Sequence, residues 1–80
     1  MSLTVRIIHP DRVLFEGTAE LVLVPGKKGT LGILPGHTPM FAELIAVEIS
    51  VQGEKEELLA IESGILRIHH DELTILVGPH

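Results

Sequence analysis

The chain has 80 residues and no cysteine, so it is expected to form one small domain without disulfides or a thiolate zinc cluster. Its formal net charge is −5 with the histidines neutral, its six lysines and arginines are scattered, and it lacks tyrosine and tryptophan, which together exclude a typical nucleic-acid-binding surface. No apolar run approaches the roughly 20 residues that span a bilayer and no signal peptide is recognisable, so a soluble, cytoplasmic protein without membrane insertion is predicted.

The first half of the chain predicts short β-strands separated by turns. Branched aliphatic residues dominate its composition, and these residues favour a pleated, half-buried surface. From residue 3 to residue 9, apolar side chains alternate with the others, as in a strand that buries one face. Gly17 is expected to end the second strand, and the two glycines of residues 25–29 favour a tight turn. The strands predicted in this half are 3–9, 13–16, 20–24 and 30–33.

The second half continues the pattern of short strands. Gly53 and Glu54 are expected to form a two-residue hairpin turn, and Ser63 and Gly64 are expected to break a strand. The stretch 40–47 also fits a helix, but β-branched residues follow it directly and no capping residue precedes it, so a strand is predicted. The strands predicted here are 40–44, 47–51, 55–61, 65–69 and 73–77. About nine or ten short strands indicate a compact all-β sandwich.

Histidine is the side chain best suited to acid–base or metal chemistry in this composition, and the chain has five, at positions 9, 37, 69, 70 and 80. His69 and His70 are adjacent, and strand alternation is expected to point them to opposite faces. His80 is terminal. No metal site and no cofactor are therefore predicted.

Nucleophile and carboxylate patterns are equally uninformative. Ser50 lies within a predicted strand, and Ser63 precedes a glycine outside any G-x-S-x-G motif. Strand alternation is expected to place Glu56 and Glu57 on opposite faces of a solvated hairpin. The sequence therefore predicts no catalytic residue.

Residues 32–40, GILPGHTPM, combine two prolines and two glycines around one histidine. Pro35 and Pro39 fix φ on either side of His37, and Gly36 allows a turn without a Cβ clash. No nucleophile or orienting carboxylate accompanies the histidine, so a catalytic loop is disfavoured. Two interpretations remain: a rigid docking loop that presents His37, or a turn in which His37 bonds to carbonyl groups of its own loop.

The turn PGKKG at residues 25–29 raises a different possibility. Flattened β-sandwiches of about this length also serve as lipoyl or biotinyl carrier domains, which present one lysine at a hairpin tip. Lys27 or Lys28 is positioned to be such a lysine. The usual flanking residues of those domains, Asp or Met before the lysine and Ala or Met after it, are missing. A plain exposed turn is favoured, and a lysine-modified carrier domain stays as the alternative function.

Several stretches resemble the epsilon subunit of F-type ATP synthases, in order and with similar spacing. They are LFEG (14–17), LVLVPG (21–26), GTLGILPGHTPM (29–40), SGIL (63–66) and LTILV (73–77). The segment LGILPGH-x-P is the most specific of them. The resemblance implies that residues 1–80 form the family's N-terminal domain, a flattened β-sandwich of ten strands in two five-stranded sheets.

The resemblance also implies a function. In this family the domain belongs to the rotor: it binds the gamma subunit on one side and the loops of the membrane-embedded c-ring on the other. It carries no catalytic group and couples ion translocation, such as proton transport, to ATP synthesis or hydrolysis in the alpha/beta head. The implied location is peripheral, on the cytoplasmic face of the cell membrane. A protein-binding β-module outside this complex is a third possibility.

Carried over residue by residue, the resemblance assigns contact positions in this chain. The gamma-facing positions are His9, Leu14 and His37. The c-ring-facing positions are Lys28, Gly29 and Thr30. The stiff docking loop is carried by Pro35, Gly36 and Pro39.

Two features depart from the family. Family members commonly carry acidic residues in the ring-facing turn, where this chain has Lys27, Lys28 and Thr30. This turn should therefore prefer neutral or acidic ring loops. The chain also ends at Gly78-Pro79-His80, so the family's C-terminal pair of helices, with its inhibitory and ATP-binding roles, is expected to be absent.

Overall fold

The computed structural model describes residues 1–26 and 29–78, and these residues form seven β-strands and no helix. The strands are β1 Leu3–His9, β2 Arg12–Ala19, β3 Leu21–Gly26, β4 Gly29–Ile33, β5 Met40–Gln52, β6 Glu56–His69 and β7 Glu72–Val77. The predicted all-β class is confirmed, and so is the choice of strand over helix for residues 40–47.

All seven strands belong to one hydrogen-bonded sheet in the order β2-β1-β7-β6-β5-β3-β4. Strand β1 pairs with β7 in parallel, and the other neighbours are antiparallel. The hairpins β1–β2 and β6–β7 have short turns, as local sequence signals predicted. The two-residue turn predicted at Gly53 and Glu54 was wrong, because Gln52 pairs with Glu56 and leaves a three-residue loop, 53–55. The parallel pairing places the first and last described strands side by side and pointing in the same direction.

The described residues form seven strands in one hydrogen-bonded sheet, whereas nine or ten strands in two five-stranded sheets were predicted. The difference arises because two long strands replace several predicted short ones. Strand β5 runs through both predicted strands of residues 40–51, and β6 runs through Ser63 and Gly64 without interruption. Gly64 pairs with Leu44 on one side and Val77 on the other, so the ladder holds it in the strand. Likewise, β2 continues past Gly17, which pairs with Val5.

Midway along β5 and β6, the buried side chains switch between even-numbered and odd-numbered positions. This switch lets one sheet form two layers. Leu44 and Ile49 are both buried although they differ in parity, and Ile61 and Leu66 repeat the change on β6. The register of the pair stays constant across this point, and Ala46 has φ of +50° there. Each long strand therefore contributes one half to each layer of the sandwich.

The interior between the layers is entirely aliphatic. Among the described residues, the buried side chains are leucine, isoleucine, valine and alanine, and none is polar or charged. Leu3, Val5 and Ile7 of β1 are fully buried, which confirms the alternation read from the sequence. The fold thus depends on apolar burial and the strand ladder, and every described polar side chain is left at the surface.

Candidate docking site

The loop between β4 and β5 contains a tight turn formed by residues 34–37. The His37 N–H donates to the carbonyl oxygen of Leu34 over 3.1 Å, and Gly36 has φ of +86°. With proline at the second position and glycine at the third, this is the geometry of a type II turn. The sequence Leu-Pro-Gly-His therefore specifies its own conformation, as the two prolines and glycine predicted.

Residues 34–39, the candidate docking loop, are attached to the turn between β6 and β7. The Gly36 N–H donates to Oδ1 of Asp71 over 2.7 Å. His70 and Asp71 form the two-residue turn of the β6–β7 hairpin, with φ of +50° and +60°, as a type I′ turn requires. The carbonyl oxygen of Asp71 accepts the Thr4 N–H over 2.8 Å, which ties the same turn to β1.

The imidazole of His37 is half-buried and has one ring nitrogen engaged. Nδ1 lies 2.7 Å from the carbonyl oxygen of Thr38. Because a carbonyl oxygen only accepts hydrogen bonds, Nδ1 is the donor in this contact, and in the neutral tautomer that fits it Nε2 carries the lone pair. The Nδ1 contact agrees with the interpretation in which His37 bonds to a carbonyl group of its own loop. Nε2 has no partner in the part of the chain that the structure describes, and the docking interpretation stays a prediction.

Two shallow grooves flank Pro39. One, of about 440 Å³, lies between the docking loop and the β6–β7 turn and is lined by Gly36, His37, Pro39, His70 and Asp71. The other, of about 460 Å³, is lined by exposed Phe41 and Leu76 together with Arg67. Phe41 has 74% of its surface exposed and lies beside Leu76, which is 54% exposed, so the two form an apolar patch at the surface. The docking loop thus stands between a groove lined by histidine and aspartate and a second groove lined by more apolar side chains.

An exposed apolar row crosses the outer face of the sheet beside these grooves. Ile65 pairs with Leu76, Leu76 with Ile8, and Ile8 with Val13, so four strands contribute neighbouring side chains. Ile65, Leu76 and Val13 are 51%, 54% and 52% exposed. Sequence analysis missed this row because it depends on cross-strand register, which alternation within one strand does not reveal.

The three residues assigned to the gamma subunit lie in two places. His9 ends β1, where its Nδ1 accepts the Asp11 N–H over 3.2 Å, and Leu14 is the extra residue of a β-bulge opposite Ile7 and Ile8. The loop of His37 is anchored beside Thr4, at the other end of β1. Thr4 and His9 are five residue steps apart along the strand, about 16 Å at the usual rise per residue. The structure therefore brings His9 and Leu14 together at one end of the sheet and places His37 at the opposite end.

Two of the three residues assigned to the c-ring lie in the described part of the chain. Gly29 and Thr30 begin β4 and are exposed, and Gly29 has φ of +122°, which favours glycine. Lys28 lies outside the described residues, as does Lys27, the other lysine considered for a carrier domain. The assignment of this turn as a contact stays a prediction.

The histidines outside the docking loop do not assemble a metal site in the described residues. The rings of His69 and His70 have centroids 4.0 Å apart and meet edge to face, so the prediction that they point to opposite faces was wrong. The reason is the positive φ of His70, which takes it out of strand alternation. No group of three or more His, Asp or Glu side chains suited to a metal occurs in residues 1–26 and 29–78. His80 lies outside this part.

Ser50 and Glu56 also meet in a way that the sequence did not predict. The Ser50 hydroxyl donates to Oε2 of Glu56 over 2.8 Å, and the Gln52 amide donates to the Ser50 oxygen over 3.1 Å. These contacts lie across the β5–β6 hairpin near its tip and include no histidine. They form a polar network at the surface that stabilises the hairpin.

Comparison with known families gives a match over almost the whole chain. The sequence model of the ATP synthase delta/epsilon chain β-sandwich domain matches residues 2–78. The chain belongs to this family. Its docking loop, with LGILPGH-x-P, lies inside the matched range, and the family's β-sandwich agrees with the two layers described above.

Curated relatives point to the same family. An ATP synthase epsilon chain of Synechococcus elongatus is 42% identical over 79 residues, which is 98% of this chain and 58% of the relative. An ATP synthase epsilon chain of Brevibacillus brevis is 37% identical over 77 residues, or 94% of this chain and 58% of the relative. The chain thus spans somewhat more than half the length of these relatives.

Solved structures show the same fold at lower identity. A chain of the Euglena gracilis mitochondrial ATP synthase, in an assembly of OSCP, F1 and c-ring, has a TM-score of 0.85 at 16% identity, covering 95% of this chain and 50% of that one. A chain of the Tetrahymena thermophila mitochondrial ATP synthase central stalk and c-ring has a TM-score of 0.81 at 11% identity, covering 99% and 65%. Residues 1–26 and 29–78 contain no helix long and apolar enough to cross a membrane.

Proposed function

We propose that this chain is a non-catalytic rotor subunit of an F-type ATP synthase. The observation that carries the proposal is the family match over residues 2–78, which includes the stiff loop 34–39. The relatives are ATP synthase epsilon chains, and one structure of similar fold comes from a central stalk and c-ring.

The gamma subunit is the partner we assign to the docking loop. Pro35 and Gly36 hold the turn in one conformation, so little conformational entropy is lost when a partner binds it. Nε2 of His37 presents a lone pair, which suits a hydrogen-bond donor of the partner. The exposed Phe41 and the apolar row of Val13, Ile65 and Leu76 supply apolar area beside it. His9 and Leu14, at the far end of the row, extend the same contact.

The c-ring is the partner we assign to the β3–β4 turn, through Lys28, Gly29 and Thr30. With two lysines and no acidic residue, this turn suits ring loops that are neutral or acidic. In this arrangement the domain is peripheral to the membrane, on its cytoplasmic face. It couples ion translocation through the ring to ATP synthesis or hydrolysis in the alpha/beta head, which it reaches through gamma.

Reconstitution with gamma tests the proposal. The affinity of the chain for purified gamma subunit is measured by calorimetry for wild type, His37→Ala and Lys55→Ala. We expect His37→Ala to weaken binding at least several-fold without unfolding the domain. Lys55→Ala is the control, because Lys55 is exposed in the β5–β6 turn, at the other end of the long hairpin. Equal affinities of all three proteins would contradict the assignment of His37.

Co-purification and intact mass test the function as a whole. From its native host, the tagged chain should bring down gamma and the alpha/beta subunits. An intact mass larger than the sequence mass by a lipoyl or biotinyl group on Lys27 or Lys28 would contradict the rotor proposal and favour the carrier domain. Lys28→Glu tests the ring contact: association with the ring should weaken, and a basic loop in the host's own c-subunit would contradict the expected charge match.

A further inference from the structure

Asp71 connects three parts of the fold that are distant in sequence. Its backbone carbonyl accepts the Thr4 N–H of β1 over 2.8 Å, and its side-chain Oδ1 accepts the Gly36 N–H of the docking loop over 2.7 Å. Asp71 itself lies in the β6–β7 turn and is only half-exposed. One residue therefore fixes the position of the docking loop relative to the sheet.

The docking loop has few other means of attachment. Pro35 and Pro39 have no N–H, and the His37 N–H is used within the turn. In the part of the chain that the structure describes, the bond from Gly36 to Asp71 is the one hydrogen bond that joins residues 34–39 to another element. The turn conformation is thus determined locally, whereas its orientation depends on Asp71.

The backbone conformation of Asp71 limits which residues serve this purpose. Its φ of +60° lies in the left-handed region, which aspartate, asparagine and glycine adopt most readily. Of these, aspartate and asparagine carry a side-chain oxygen that accepts a hydrogen bond, and a carboxylate makes the stronger bond. Position 71 therefore favours aspartate or asparagine, because each adopts the left-handed backbone conformation and carries a hydrogen-bond acceptor on a short side chain.

We propose that Asp71 is a positioning residue for gamma binding, which it promotes by holding the docking loop in its binding orientation. The inference rests on the proposed function of the loop. Without the carboxylate the loop swings about its ends, and His37 spends less time where gamma binds it. Apparent affinity then falls in proportion to the fraction of molecules with the loop correctly placed.

Two variants separate the role of the Asp71 side chain from the role of its backbone. Asp71→Gly keeps the left-handed backbone and the carbonyl acceptor but removes Oδ1. Asp71→Asn keeps both the backbone preference and a side-chain oxygen. The first readout is amide hydrogen exchange of Gly36 and Thr4 by NMR on the whole chain. The second is affinity for purified gamma, with His37→Ala measured in parallel.

In Asp71→Gly, exchange of the Gly36 amide should accelerate roughly tenfold or more, since a bond to a charged acceptor is lost. The Thr4 amide should stay protected, and gamma affinity should fall several-fold. Asp71→Asn should restore both properties to near the wild-type values, which a general loss of stability would not allow.

Three outcomes would overturn the inference. Unchanged Gly36 exchange in Asp71→Gly would show that the carboxylate does not hold the loop. Faster exchange with unchanged gamma affinity, while His37→Ala still weakens binding, would show that the loop needs no such anchor. If neither Asp71→Gly nor His37→Ala alters the affinity, the docking role of the loop itself fails, and the inference falls with it.

Discussion

Gly64 of β6 lies directly against the backbone of Leu76 in β7. A Cβ placed on Gly64 would stand 2.8 Å from the Leu76 carbonyl oxygen, closer than real Cβ atoms approach. This contact occurs where β6 passes from one layer of the sandwich to the other. A glycine there lets β7 approach closely at the layer change.

Gly64→Ala should therefore destabilise the domain. The new methyl group pushes apart two hydrogen-bonded strands, and overpacking of this kind costs about 1–3 kcal/mol. Gly32→Ala is the matched control, since a Cβ there meets the side chain of Leu23 at an ordinary 3.6 Å. Urea unfolding of the two variants measures the difference. Equal midpoints for both would contradict the close approach.

Ala46 carries the other half of the layer change, with a φ of +50° in the middle of β5. Ala46→Gly should stabilise the domain by up to about 1 kcal/mol, because relief of the left-handed conformation outweighs the extra entropy of glycine in the unfolded chain. Ala46→Val should have the opposite sign, since a β-branched residue fits positive φ poorly. Thermal unfolding checks the pair, and a valine variant more stable than the glycine variant would contradict the assigned geometry.

Ile75 and Leu76 are sequence neighbours on opposite faces of β7. Ile75 is fully buried, whereas Leu76 is 54% exposed. Ile75→Ala should cost about 2–5 kcal/mol through loss of burial and a cavity, and Leu76→Ala about 1 kcal/mol or less, because half its side chain already contacts water. Calorimetric melting of the isolated chain separates the two. The reverse order would mean that the register of β7 is shifted by one residue.

The tautomer of His37 predicts how its replacements affect gamma binding. His37→Asn puts an amide near the position of Nδ1 and removes Nε2, whereas His37→Gln puts an amide nearer to Nε2. Since Nε2 is the atom without a partner in the described residues, Gln should retain affinity within about threefold and Asn should lose about tenfold, the value of one hydrogen bond. Titration calorimetry with gamma decides, and a better-binding Asn variant would assign the contact to Nδ1.

Local signals in the sequence predicted what depends on neighbouring residues. Alternation identified the buried face of β1, and Pro35 with Gly36 predicted the turn that the structure shows. The breaks predicted at Gly17 and Gly64 were wrong, because each glycine is held within a ladder by partners on neighbouring strands. Whether a glycine ends a strand or allows close packing between strands depends on the neighbouring strands. The local sequence around the glycine does not specify those neighbours.

The candidate site was predictable in part. The family resemblance and the two prolines identified residues 35–39, but Asp71, which holds them, lies 35 positions further along the chain from Gly36. The run His-His-Asp-Glu indicated a turn and gave no sign of its partner. Similarly, the apolar row of Ile65, Leu76 and Val13 emerges only after register aligns four strands.

The parallel pairing of β1 with β7 has a consequence for how the domain folds during its synthesis. Strand β7 lies between β1 and β6, so the sheet is complete only when the last described strand pairs with the first. Such a contact closes a long loop, which slows folding relative to the local hairpins. During synthesis we expect the β1–β2 and β5–β6 hairpins to form first, which leaves the edges of β1 and β6 open until β7 emerges. That interval is when the nascent chain is most exposed to edge-to-edge aggregation and most in need of a chaperone.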